Sequence, residues 1–128
     1  MRSLDQEALS KMEDNLKELK SVEDLDQALA RSSEHPVLLF KHSITCPISA
    51  RAFREFKSHI ETPLPGVIYN LITVQSARRV SDEIESRLNV RHESPQAILV
   101  RNGQQVWNAS HFSITAGSIE EAIRAASD

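Results

Sequence analysis

The spacing of hydrophobic positions changes several times along the chain, and each change marks an element. "SVEDLDQALARSS" from Ser21 places Val22, Leu25, Ala28 and Leu29 on one helical face and opens with Ser21 and Asp24, a near capping box. "PVLLFKHS" from Pro36 is a short unbroken apolar run, expected of a strand buried on both faces of a sheet. "PISARAFREFKSHIE" returns to helical spacing with Ile48, Ala52, Phe53, Phe56 and Ile60. Pro47 suits the first helical turn, where its missing N–H would be unpaired anyway, and Cys46 becomes the N-cap. After the turn-forming "TPLPG", the β-branched run "VIYNLITV" from Val67 predicts a second buried strand. "RRVSDEIESRLNV" predicts a helix on Val80, Ile84 and Leu88, and "ESPQAILVRNGQQVWNAS" two strands joined at Asn102-Gly103. The last helix is expected from "GSIEEAIRAA", with Ser118 and Glu121 as capping box and Ile119, Ala122, Ile123 and Ala126 as its apolar stripe.

In residues 1 to 20, Leu4, Ala8, Leu9, Met12, Leu16 and Leu19 fit a helix, although "NLKEL" at the end of this stretch would also serve as a short edge strand. The pattern divides the chain into an N-terminal extension, 1–14, helical or disordered, and a single domain, 15–128. The order of elements implies an α/β fold with a central mixed sheet of four or five strands and helices on both faces. Sites in such sheets gather beyond the C-terminal ends of the parallel strands. Cys46 lies a few residues past "VLLF", in that position.

Composition narrows the function. A chain of 128 residues with 40% hydrophobic and 26% charged residues and a net charge of −3 is expected to be one soluble globular domain. No apolar stretch approaches the ~18 residues of a membrane span, and "MRSLDQEALS" lacks the layout of a secretory signal, so a cytoplasmic protein without membrane attachment is expected. Scattered basic residues in a mildly acidic chain give no electrostatic footprint for nucleic acid. The five histidines show no metal-binding spacing, and no metal is expected. The single cysteine cannot form an internal disulfide, so any redox chemistry needs a thiol from elsewhere.

A lone cysteine is often only a small buried hydrophobe. The surroundings of Cys46 argue for reactivity. The thiolate is the nucleophile, and a free thiol with a pKa of about 8.5 is mostly protonated at neutral pH. At an N-cap the sulfur faces the amides of Ile48 and Ser49 and the positive end of the helix dipole, with Pro47 stiffening the turn and the hydroxyls of Thr45 and Ser49 as further donors. From His35 to Arg54 there is no acidic residue, whereas Lys41, Arg51 and Arg54 are present. "CPIS" has the spacing of a CxxC redox motif, but Ser49 replaces the second thiol, so a mixed disulfide at Cys46 needs an external thiol for its resolution. In "ESPQ", Pro95 is either a strand-entry residue or follows a cis Ser94-Pro95 bond that leaves backbone groups free to pair with substrate. The candidate substrate-binding residues are Lys41, His42, His92, Glu93, Ser94 and Pro95. Trp107 reads as a core or sheet-face residue.

The stretches "KHSITCPIS" and "VRHESPQAILVRNGQQVWNASH", with the order of elements, resemble the thioredoxin fold and, more narrowly, the monothiol bacilliredoxins of the YtxJ-like group; Trp107, Asn108 and His111 match that family's pattern. The resemblance implies a thiol-disulfide oxidoreductase acting on bacillithiol, a small thiol of cysteine, glucosamine and malate that caps protein cysteines under oxidative stress. By this likeness Cys46 attacks the bacillithiol sulfur, frees the client protein and is itself capped until a second thiol restores it. Bacillithiol is then a co-substrate rather than a bound cofactor, the partners are S-thiolated client proteins, and the protein is expected to be a monomer. The rival readings are an iron–sulfur cluster held by Cys46 with a small thiol between two protomers, and a non-catalytic interaction module.

Overall fold

The computed structural model describes residues 16–126, so the expected N-terminal extension lies outside the described residues. In chain order the elements are β1 (Leu16–Glu18), α1 (Val22–Arg31), β2 (Val37–His42), α2 (Pro47–Ile60), β3 (Ile68–Thr73), α3 (Arg78–Leu88), β4 (Gln96–Arg101), β5 (Gln104–Ser110), a 3-10 turn (His111–Ser113) and α4 (Ala116–Ala126). They form one five-stranded sheet of order β1-β3-β2-β4-β5. β1 and β2 run parallel to β3, and β4 and β5 are antiparallel additions. Residues 16–18 thus take the edge-strand alternative within "NLKEL": Leu16 pairs with Tyr69, and the Leu19 N–H donates to the Leu71 carbonyl at 2.8 Å. Tertiary pairing overrides helical spacing there.

β2 is central, and Val37 to Phe40 are buried on both sides. Its alternation divides the core. Val37 and Leu39 pack with Leu25 and Ala28 of α1 and Val80, Ile84 and Leu88 of α3. Leu38 and Phe40 pack with Ala52, Phe56 and Ile60 of α2 and Ile119 and Ile123 of α4. Each fully buried side chain of this size contributes ~1.5–3 kcal/mol, so the two faces carry most of the fold's stability. The contact between α2 and β2 also aims the site. Phe56 stacks on Phe40 with ring centroids 4.5 Å apart, and Phe53 stacks on His42 at 4.9 Å. These stacks hold the N-terminus of α2 at the C-terminal end of β2.

Two termini reflect side-chain chemistry. The Ser21 hydroxyl caps α1 by accepting the Asp24 N–H at 3.1 Å, while Asp24 reaches back to the Lys20 N–H at 3.0 Å. α4 begins three residues earlier than the expected Ser118–Glu121 box would place it. Its capping box is Thr115 with Ser118: Thr115 Oγ1 accepts the Ser118 N–H and Ser118 Oγ accepts the Thr115 N–H, each at 3.0 Å. Ser118 therefore occupies the third helical position rather than the cap. The β4–β5 hairpin turns at Asn102 and Gly103, with φ of 53° and 74°, the left-handed pair that an Asn-Gly turn supplies. Buried Ser32, just past α1, takes the Asn102 N–H on its carbonyl and the Gly103 N–H on its hydroxyl, tying the hairpin to the helical layer.

Candidate active site

Cys46 is the N-cap of α2, with extended backbone (φ −103°, ψ 124°), Pro47 behind it and no acidic residue in the first turn. Its carbonyl accepts the Ala50 N–H at 3.0 Å, which starts the helix, and its thiol is partly exposed. The side chain makes no hydrogen bond of ordinary capping geometry. The Ser49 and Ile48 amides nevertheless hold the thiol below its ordinary pKa, against an opposing desolvation that exceeds the added contribution of the Ser49 hydroxyl. Charge–charge attraction adds nothing here. Lys41, expected among the local cations, is buried, and Arg51 lies over the Phe112 ring at 5.0 Å. The anion is stabilised by backbone dipoles rather than by neighbouring side-chain charge.

Ser49 is fully buried, and its hydroxyl oxygen accepts the Ser43 N–H at 3.1 Å, closing the loop between β2 and α2. With that lone pair occupied, its proton is free to point to Cys46. Thr45, expected as a further donor to sulfur, instead shares its hydroxyl with Ser43 Oγ at 3.2 Å and with Gln75 Nε2 at 3.3 Å. Gln75 was not foreseen from the sequence. From the end of β3 its Oε1 accepts the Ile44 N–H at 3.2 Å while its Nε2 donates to Ser43 and Thr45, so one side chain fixes all three residues before Cys46. A lone glutamine after an apolar strand carries no local signal of such a role.

Of the expected substrate-binding residues, Lys41 turns into the protein interior, whereas His42 is half-buried and His92 exposed. Lys41 is fully buried. By strand alternation it shares the α1/α3 face of β2, and its Nζ donates to His92 Nδ1 at 2.9 Å. Burial pushes its pKa down to about 8, partly offset by Glu85, Glu93 and Asp82. His92 also has Ser81 Oγ at 3.1 Å from the same Nδ1 and donates its backbone N–H to Glu85 Oε2 at 2.6 Å. Its ring pKa is lowered, by burial first and by the Lys41 charge second. His42 points to the opposite face; Thr73 donates its hydroxyl to Glu18 and so receives the His42 Nε2–H at 3.1 Å, binding the ends of three strands together.

The proline loop closes the other side. Ser94-Pro95 is cis. Antiparallel pairing of Lys41 with Gln96 brings Pro95 level with His42, at the root of the Cys46 loop. The Pro95 carbonyl accepts the His111 N–H at 3.2 Å, and Glu93 Oε2 lies 3.7 Å from His111 Nε2. The Ser94 hydroxyl oxygen is buried without a hydrogen-bond partner. Trp107 is half-buried against the α2/α4 core cluster. Among the described residues no group of three or more His, Cys, Asp or Glu could hold a metal ion, and no helix is long and apolar enough to cross a membrane.

A mixed sheet of this order with one cysteine at the N-terminus of the helix after its central strand, and a cis-proline opening the next strand, defines a single-thiol member of the thioredoxin-fold oxidoreductases. Comparison with known proteins agrees. A solved structure described as a candidate oxidoreductase with a thioredoxin fold is 34% identical and superimposes with a TM-score of 0.76 over 87% of this chain and 96% of its own. The thioredoxins of Fasciola hepatica (12% identity, TM-score 0.69, 85% of this chain and 97% of theirs) and Schistosoma mansoni (20%, 0.69, 87% and 97%) share the fold. Residues 17–119 match the family model for the monothiol bacilliredoxin BrxC, and the chain belongs to that family. Its role is thiol redox chemistry.

Two consequences are measurable. Replacing Gln75 with Ala removes the acceptor for the Ile44 N–H, and hydrogen exchange at that amide should accelerate about fivefold, the equivalent of one net hydrogen bond of ~1 kcal/mol; an unchanged rate contradicts the clamp. For Lys41, the folded pKa of about 8 lies below the ordinary lysine value of 10.5, so the unfolded state binds more protons between those values and stability rises with pH across that window. The unfolding free energy of wild type relative to Lys41→Met should therefore climb by roughly 1–2 kcal/mol from about pH 8 to pH 10. A flat difference would place Lys41 in contact with solvent.

Proposed function

We propose that this protein removes bacillithiol from mixed disulfides on client proteins by a monothiol mechanism. The observation that carries the reading is the pairing of Cys46, at an amide-lined helix N-terminus, with a buried Ser49 where a CxxC motif would have its resolving thiol. Membership of the monothiol bacilliredoxin family supports the choice of small thiol.

The Cys46 thiolate attacks the bacillithiol sulfur of the mixed disulfide; a new sulfur–sulfur bond forms as the old one breaks, and the client cysteine leaves as a thiolate that takes a proton from solvent. Cys46 is left capped by bacillithiol. A second thiolate then attacks the bacillithiol sulfur, restores the Cys46 thiolate and leaves as a disulfide with bacillithiol, supplying the two electrons that the client has gained. Exchange is fastest when the attacking thiol has a pKa near ambient pH, because a lower pKa also weakens the nucleophile. Two amides directed at a partly exposed sulfur suit a moderate shift of this kind. The reading calls for a small-thiol co-substrate, no bound cofactor, S-thiolated proteins as partners, a monomer and a reducing compartment such as the cytoplasm.

Incubating the reduced full-length protein with a bacillithiolated client and weighing both by intact mass spectrometry tests the cycle. The adduct should move to Cys46 within minutes and should not move at all with Cys46→Ser. Retention of the adduct on the client for hours with wild type would sink the proposal.

A further inference from the structure

Beside the Cys46 loop, between the end of β3 and the first turns of α3, lies a cleft of about 550 Å³ lined by Val74, Gln75, Arg78, Ser81, Asp82 and His92. It adjoins the site through Gln75, which is both a wall of the cleft and the clamp on Ser43, Ile44 and Thr45. We propose that this cleft receives the carboxylate-bearing, hydroxylated end of the small thiol whose sulfur exchanges at Cys46, an assignment that rests on the thiol-exchange reading above.

The donor set is the argument. An ammonium can only donate, so the contact with Lys41 makes His92 Nδ1 an acceptor and leaves the proton of the neutral ring on Nε2. Buried Lys41 thereby fixes the tautomer of a cleft-lining histidine so that it offers an N–H, and no protein acceptor among the described residues takes that hydrogen. Arg78 contributes a planar fork of donors matched to a carboxylate, and it has no ion-pair partner among the described residues. Asp82, one helical turn along the same face, follows Arg78 in the less favourable order for an i,i+4 pair and makes no salt bridge with it. Both line one wall of the cleft, a cation for a carboxylate and an anion for hydroxyl donors. The Gln75 carboxamide and Ser81 hydroxyl complete a polar lining in which Val74 is the only apolar side chain. Such a lining offers hydrogen-bond partners to a polar headgroup.

The test uses one model peptide as two mixed disulfides, one with bacillithiol, which carries carboxylates and hydroxyls, and one with 2-mercaptoethanol, which has no charge. Arg78→Ala should slow transfer of bacillithiol to Cys46 roughly tenfold, about the loss of one charge-assisted hydrogen bond. Arg78→Lys should recover part of the rate, and neither change should alter transfer of mercaptoethanol. Equal slowing of both disulfides, or of neither, overturns the cleft assignment and leaves thiol exchange standing. In a separate binding experiment, oxidised bacillithiol added to Cys46→Ser should move the amide resonances of Gln75, Arg78, Ser81 and His92, and Arg78→Ala should abolish those shifts. Shifts confined to His111 and Phe112 overturn the assignment. Because binding is read without chemistry, this arm decides the cleft even where wild type exchanges neither disulfide, the result that would reject the exchange reading instead.

Discussion

Everything in this site depends on a few backbone N–H groups at the start of one helix being aimed at one sulfur atom. An amide at a helix N-terminus has no partner within the helix, and an anion placed there satisfies it without requiring a buried charge of opposite sign. Cys46 exploits this because Pro47 occupies the first helical position and the first turn contains no carboxylate to compete. The rest of the fold holds that helix end still. The aromatic stacks of Phe56 on Phe40 and Phe53 on His42 fix α2 against the central strand, and Ser49 and Gln75 fix the four-residue loop between them.

The two faces of β2 divide the work. The face bearing Leu38, Phe40 and His42 is apolar and aromatic and positions the nucleophile. The face bearing Val37 and Leu39 ends in Lys41, a buried ammonium whose hydrogen bond orients His92. Burying a charge in that position costs stability unless it is well paired, and the depressed pKa of Lys41 is the sign of that cost. A residue kept on such terms is more readily explained by what it orients than by what it stabilises.

The features readable from the sequence are those that local chemistry governs. Proline after cysteine marked the start of α2, Asn102-Gly103 the hairpin, and unbroken apolar runs the central strands, because caps, turns and burial each leave a signature within a few residues. What escaped the sequence involves distant partners. Gln75 reaches Ile44 across 31 positions and His92 reaches Lys41 across 51, and neither contact leaves a periodic trace. Lys41 looked like a cation available to an anionic thiol; the parity of the strand, together with Ser81 and His92 arriving from α3 and the loop after it, turned it inward. The start of α4 lies three residues earlier because Thr115, bonded reciprocally to Ser118, takes the cap, a pairing the Ser118–Glu121 spacing masked.

The most direct measurement of the central claim is the thiolate absorbance of reduced full-length protein at 240 nm as a function of pH, with Cys46→Ser as blank. If the Ser49 and Ile48 amides hold the anion, the transition falls below the ~8.5 of an unperturbed thiol. A transition at or above that value would mean that the helix N-terminus does not stabilise the sulfur, and the account of Cys46 as an activated nucleophile would be wrong.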